Sequence, residues 1–325
     1  MITRRWKAIA QAAIAAFSIA AVSVSAQPYP NKPVKIVVGF GPGSGTDIVA
    51  RIIAEELRQS FNQSFVVENK AGATAAIAAE MVAKAPPDGY TLFITSNSSH
   101  SVNPHLYRVL RYDPDKDFTP IGRIADFPFL LAVDPKLPIK TPQDLVAYAR
   151  ANRGKASYAY GNTPGQIAGA ALNTLMKLDM TAVPYKSSPP AMVDVSTGLE
   201  VFVVVDLASS QSFVKSGRLR AIAVTTSTRS ALAPELPPLG EALGIEGFDL
   251  RAWTGMFGPA GVPKDITDKL SNELVKILTR PELRDRLLAG GMEPTPARSA
   301  EFASFLADQY IVWGKKIKDA GIEPE

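Results

Sequence analysis

Short apolar runs and amphipathic stretches alternate along most of this chain. Val34–Val38 is a short β-branched apolar run, broken only by Lys35, of the kind that fits a strand covered on both faces. Beyond the polar stretch 39–47, Ile48, Ile52, Ile53, Leu57 and Phe61 recur at three- and four-residue intervals, while Arg51, Glu55, Glu56 and Arg58 occupy the other side. That spacing predicts an amphipathic helix. The alternation then repeats. Residues 65–68 read as a strand, 69–84 as a turn and helix, Pro86-Pro-Asp-Gly89 as a tight turn, and 90–95 as a strand opening into Ser96-Asn-Ser-Ser-His100.

A second block behaves alike. It holds a strand at 130–133, a helix starting at Thr141-Pro142 and a strand at Ser157–Tyr160. The loop Gly161-Asn-Thr-Pro-Gly-Gln166, a helix at 167–178 and a strand at 181–183 follow. Next come Pro184-Tyr-Lys-Ser-Ser-Pro-Pro190, a helix to Thr197, a strand at 200–205 ending at Asp206, and a strand at 220–225. From Lys264 onward two helical stripes are expected. One is Ile266, Leu270, Leu274 and Ile277 or Leu278; the other is Phe302, Phe305, Leu306, Tyr310, Trp313 and Ile317. Strand and helix in alternation argue for parallel α/β sheets. Two such blocks, each with polar loops beyond its strands, predict two lobes facing one cleft, because ligands of open α/β sheets sit at the carboxyl ends of the strands.

The N-terminus changes the setting. Arg4, Arg5 and Lys7 precede an apolar, alanine-rich run at 12–22, and Val24-Ser-Ala26 supplies small residues for cleavage, so 1–26 reads as a secretory signal. An uncleaved anchor is the alternative, but the run falls short of the roughly 20 residues that span a bilayer. Losing Arg4, Arg5 and Lys7 takes the formal charge from +4 to +1. A near-neutral surface without an arginine-rich strip gives no footprint for nucleic acid. The chain has no cysteine, which removes disulfides, thiolate nucleophiles and thiolate metal sites together.

The most informative motif is the loop after the first strand. Gly41, Gly43 and Gly45 allow a sharp turn and close approach to a ligand, and Thr46 or Asp47 is placed to cap the helix near Ile48. Free N–H groups at such a loop and helix start suit a carboxylate or phosphate. A dinucleotide loop and a plain structural turn are the other readings. The spacing departs from G-x-G-x-x-G and Pro42 lacks an N–H, which disfavours the first. Only His100 and His105 exist, without a third ligand at zinc spacing, so no metal or cofactor is expected. No G-x-S-x-G elbow occurs; a secreted hydrolase using Ser98 and His100 is kept as the enzymatic alternative.

Several segments resemble one family, the Bug or tripartite tricarboxylate transporter receptors of the bacterial periplasm. They are Tyr29-Pro-Asn-Lys-Pro33, Gly41-Pro-Gly-Ser-Gly-Thr-Asp47, Val67-Glu-Asn-Lys-Ala-Gly72, Pro87-Asp-Gly-Tyr-Thr-Leu92, Asn103-Pro-His-Leu-Tyr107 and Tyr112-Asp-Pro-Asp-Lys-Asp-Phe118. Val183-Pro-Tyr-Lys186, Gly217-Arg-Leu-Arg-Ala-Ile-Ala-Val224 and Phe257-Gly-Pro-Ala-Gly-Val-Pro263 follow in the same order. The resemblance implies an α/β, two-lobed type II periplasmic binding fold (a Venus flytrap), with lobe 1 at 27–127 and 228–325 and lobe 2 at 128–227. It implies a non-enzymatic, monomeric periplasmic receptor that closes on a small organic carboxylate and passes it to integral-membrane transporter subunits. A sensing receptor without transport is the neighbouring alternative.

Carried onto this chain, the first-lobe ligand positions are Phe40, Gly41, Gly43, Ser44, Gly45, Thr46, Asp47, Ser96, Asn97 and Ser98. Those of the second lobe are Tyr160, Gly161, Asn162, Thr163, Gln166, Tyr185, Lys186 and Asp206. The loop at 161–166 departs from the family's usual Gly-x-Gly-Thr-x-x-His, and the turn after Asn69 is alanine-rich at 73–76. The first change lies where ligand choice is made. The surroundings of Trp253 are a further place for a ring-bearing ligand.

Overall fold

A long strand divides the molecule, and the sequence pattern showed only its last quarter. In the computed structural model, which describes residues 29–324, the chain begins with β1 (Val34–Val38), α1 (Gly45–Phe61), β2 (Phe65–Asn69), α2 (Ala76–Ala83), β3 (Thr91–Ser96) and the short α3 (Asn103–Leu106). β4 (Phe118–Val133) follows. Then come α4 (Pro142–Ala151), β5 (Ser157–Tyr160), α5 (Thr163–Met176), β6 (Thr181–Pro184), α6 (Ser188–Ser196), β7 (Phe202–Asp206), α7 (Leu207–Lys215), β8 (Arg220–Val224) and α8 (Leu239–Leu243). The chain closes with β9 (Arg251–Pro259), α9 (Lys264–Leu278), α10 (Pro281–Ala289), β10 (Glu293–Arg298) and α11 (Ser299–Asp319). The segment 1–26, read from the sequence as a secretory signal, lies outside the described residues, and among the described residues no helix is long and apolar enough to cross a membrane.

β1 runs parallel to both β2 and β3, and β9 joins antiparallel to β3, giving the order β2-β1-β3-β9-β4 in the first lobe. β4 then serves both lobes. Its residues up to Pro128 pair with β9 and, at the edge, β10; from Phe129 onward the partners are β7 and β8. The second lobe continues β7-β5-β6, parallel throughout. Strands covered on both faces read as near-continuous apolar runs. That is why β1 and β7, with Val37, Val38, Val203 and Val205 fully buried, were plain in the sequence.

Each lobe has its own core. In the first, Val37, Phe93, Phe118, Trp253, Phe257 and Phe302 pack together; in the second, Leu130, Ala132, Val203, Val205, Leu219 and Val224 do so. Trp253 is therefore a core residue, with Phe302 and Phe305 edge-on to its ring, and it does not face a ligand space. Residues 228–243, read with lobe 1 from the sequence, pack on the second lobe: Ala233 and Leu236 belong to its core, and Gln143 of α4 donates to the carbonyl of Ala242. The chain returns at Thr225 and Leu250, where the Leu250 N–H donates to Thr225 O and the Thr225 N–H to Phe129 O.

Candidate functional site

Four helices begin at one small cavity between the lobes. α1 starts at Gly45 rather than at Ile48, and its N-cap is Ser44, whose Oγ accepts from the Asp47 N–H at 3.3 Å. Asn162 caps α5, with Oδ1 accepting from Gly165 N at 2.8 Å. Ser187 stands at the N-cap of α6. Asp206 caps α7, accepting from Ser209 N at 2.7 Å. Helix starts carry unpaired N–H groups and the positive end of the helix dipole, so their convergence makes a field for an anion.

The walls can be assigned residue by residue. Phe40, Ser44, Gly45, Thr46 and Ser96 line the cavity from the first lobe; Asn162, Pro164, Ser188 and Asp206 line it from the second. Phe127, Phe129 and Ala252, from the crossing strands, form its apolar side. None of these lining residues is Lys or Arg. The cavity is about 20 Å³, room for one water or little more, since a water needs roughly 10–15 Å³ on this measure. The two walls are thus closed upon each other.

Glycine is needed where the walls meet. A Cβ on Gly45 would stand 2.4 Å from Asp206 Oδ1, and one on Gly41 would stand 2.8 Å from Ser187 Oγ. Gly43 has φ +79°, a left-handed conformation that side chains adopt rarely. A direct hydrogen bond also spans the lobes, Thr163 Oγ1 donating to Ser98 Oγ at 2.6 Å with both residues fully buried. On the second wall Asn162 Nδ2 donates to Ser188 Oγ at 3.0 Å.

Several expected residues stand elsewhere. Asp47 is turned into its own lobe, where its carboxylate accepts from Gly43 N at 2.9 Å and Asn69 Nδ2 at 2.8 Å and pairs with Arg51. Lys186 is exposed, and Tyr185 donates its hydroxyl to Asp194 at 2.6 Å. Tyr160 and Gln166 are half-buried and Gly161 is packed against the Ser187 backbone; none of the three lines the cavity. Asn97 is fully buried beside Ser96, with neither amide atom hydrogen-bonded to protein.

The electrostatics separate two buried groups. Burial pushes the Asp206 carboxyl above its ordinary range, against hydrogen bonds from Ser209 that pull it down. Burial alone lowers His100 to about 3, which keeps the ring neutral. His100 does not pair with Ser98. Its Nδ1 lies 2.9 Å from Ser99 Oγ, its ring stacks on Phe257 with centroids 3.9 Å apart, and Ser98 Oγ is held by Thr163. The Ser98 and His100 pair of the hydrolase alternative is therefore not assembled.

Phe127, Phe129, Pro164, Ser188 and Ala252 were missed by sequence reasoning. Ser188 had a usable signal, the Ser-Ser-Pro-Pro run that starts a helix, though the expectation fell on Tyr185 and Lys186 instead.

The fold and the cleft together define a two-lobed solute-binding protein of the periplasmic type. A sequence model of the tripartite tricarboxylate transporter family receptor matches residues 49–322, and this chain belongs to that family. Among curated relatives, protein BugT of Bordetella pertussis is 31% identical over 306 residues, covering 93% of each chain. Among solved structures, Rpa4515 of R. palustris with adipate superposes with a TM-score of 0.88 at 34% identity, covering 91% of this chain and 100% of that one. MatC of Rhodopseudomonas palustris, with bound malate, does so with 0.83 at 29% identity, covering 89% and 100%.

Proposed function

We propose that this chain is an exported receptor that captures a small organic carboxylate between its lobes and delivers it to the integral-membrane subunits of a tripartite tricarboxylate-type transporter. The observation that carries the reading is the convergence of four helix starts, with Ser44, Asn162, Ser187 and Asp206 at their N-cap positions, on a cavity lined by no cationic side chain. Backbone N–H groups and hydroxyls then replace the water shell of the carboxylate, and only when both walls meet it together. The bound malate of MatC and adipate of Rpa4515 support the ligand class. Phe40, Phe127 and Phe129 receive the apolar body of the acid.

The receptor works as a monomer in the periplasm, with 1–26 removed on export. The lobes divide at Pro128 and Phe129 on the way out and near Leu250 on the return, later than a division at 227/228, because residues of 228–243 pack on the second-lobe core. In this closed form the cavity admits no organic acid, so entry requires the hinge strands to open.

The test is a thermal-shift screen of organic acids on the chain from Gln27, followed by calorimetry. A ligand at 100 times its Kd stabilises the native state by about 2.7 kcal/mol, so at least one acid raises the melting temperature by several degrees. No shift with any acid overturns the reading. For the transport step, uptake of the acid so identified falls in a strain lacking this receptor; unchanged uptake marks a sensing role instead.

A further inference from the structure

Two of the four helix starts at the cavity are capped by neutral side chains, a third has a serine at its N-cap position with no side-chain capping bond, and one is capped by a carboxylate. Ser44, Asn162 and Ser187 stand at the starts of α1, α5 and α6. Asp206 closes the start of α7, lines the cavity and is 5% exposed. The groups placed against it are uncharged: Ser209 on its own helix and Gly45 on the opposing wall, with Phe127 beside Gly45. Among the lining residues no other is ionisable. The contrast with Asp47 is direct, since that carboxylate is held by Arg51, Asn69 and the Gly43 N–H.

Resting on the carboxylate reading above, we infer that Asp206 is a specificity-determining residue that selects acids carrying a hydrogen-bond donor, a hydroxyl or an ammonium group, over diacids of the same carbon skeleton that lack one. The ligand carboxylate belongs with the neutrally capped helix starts. Whatever part of the ligand reaches α7 meets an oxygen acceptor at the one helix start already occupied by an anion. A second ligand carboxylate there brings like charges together in a site from which water is excluded, and no cation lines the cavity to offset them. A donor in the same place makes a charge-assisted hydrogen bond. Gly45 is what lets Asp206 come this close, because a Cβ there would stand 2.4 Å from its Oδ1.

Calorimetry of the mature chain and of Asp206→Asn with succinate, malate and aspartate, near neutral pH, tests this. The three acids share one carbon skeleton and differ in the donor. Asparagine caps helices about as well as aspartate, so the variant keeps α7; Asp206→Ser, also a good cap, provides a second variant. The native chain binds malate or aspartate at least about tenfold tighter than succinate, a discrimination typical of a buried polar partner. In both variants the preference falls to about threefold or less, with succinate gaining affinity. Succinate bound as tightly as malate and aspartate by the native chain, or a preference untouched in both variants, overturns the inference and leaves the receptor reading standing. No binding of any of these acids or of those in the wider screen overturns both.

Discussion

Asp47 and Asp206 are both buried carboxylates at the start of a helix, one on each side of the cleft, yet their surroundings differ. Asp47 is satisfied within its own lobe by Gly43 N, Asn69 and Arg51. It fixes the shape of the glycine loop and has nothing left to offer a ligand. Asp206 has hydrogen bonds from Ser209 and no cation among its neighbours. A buried carboxylate that is paired shapes the fold, whereas one that is unpaired and lines a cavity acts on whatever enters it. The first wall is therefore a scaffold for backbone donors and the second is where ligands are told apart.

The comparison can be broken in several ways. The largest effect is expected from Gly45→Val, which places a side chain where Asp206 Oδ1 and Phe127 stand when the walls meet. Affinity for the acid found by screening should fall more than about 100-fold while the melting temperature stays within a few degrees, since opening the hinge relieves the clash. Unchanged affinity by calorimetry means the walls do not close at Gly45. Gly43→Val differs in kind, because the left-handed backbone at φ +79° adds a folding cost of about 1–2 kcal/mol.

Next come the two aspartates. Asp47→Ala leaves Gly43 N, Asn69 and Arg51 without their shared acceptor and should destabilise the fold by about 2–3 kcal/mol in urea melts. Asp206→Asn should change stability by less than about 1 kcal/mol, because the cap is kept. Equal losses for the two contradict the division between scaffold and selector.

A smaller effect concerns the bond between the walls. Thr163→Ala removes the donor to Ser98 and should weaken ligand binding by about 1 kcal/mol, roughly fivefold. Titration separates the walls further. Burial raises the Asp206 carboxyl above its unfolded value of about 3.9, so folding favours the protonated acid. That contribution is complete below the unfolded value and is lost as pH rises through the folded one. The native chain should therefore lose stability relative to Asp206→Asn from about pH 4 upward. Parallel melting curves for the two proteins across that range rule this out. The smallest effect is at Lys186. The side chain is exposed and away from the cavity, so Lys186→Ala should leave affinity unchanged within error, and a loss above about threefold would return it to the site.

Much of the architecture was legible because buried parallel strands announce themselves. The run at Val34–Val38 and the Thr141-Pro142 helix start appear in the structure as read, and the strand read at 200–205 appears at Phe202–Asp206. What stayed hidden were antiparallel strands whose apolar pattern is broken by glycine, proline and polar residues. β4 contains Pro120, Gly122, Arg123 and Asp126, and β9 contains Thr254, Gly255 and Gly258. Their pairing, with register shifts along it, comes from partners more than 100 residues away and not from local preference. Phe127, Phe129 and Ala252 were missed for that reason. The polar loop residues Ser44, Gly45, Ser96, Asn162 and Asp206 were legible because helix caps and turn glycines carry their own local signals. Direction was not legible: Asp47 and Lys186 have the right chemistry at the right place in the chain, but one side chain turns into its lobe and the other into solvent.

On the proposed function, opposed helix starts, rather than cationic side chains, hold the carboxylate. A crystal structure of the mature chain with its acid tests this most directly. A carboxylate oxygen is expected at about 3 Å from backbone N–H groups or hydroxyls at the starts of α1 and of α5 or α6, with both lobes contributing. A carboxylate paired with a lysine or arginine, or bound by one lobe alone, would contradict it.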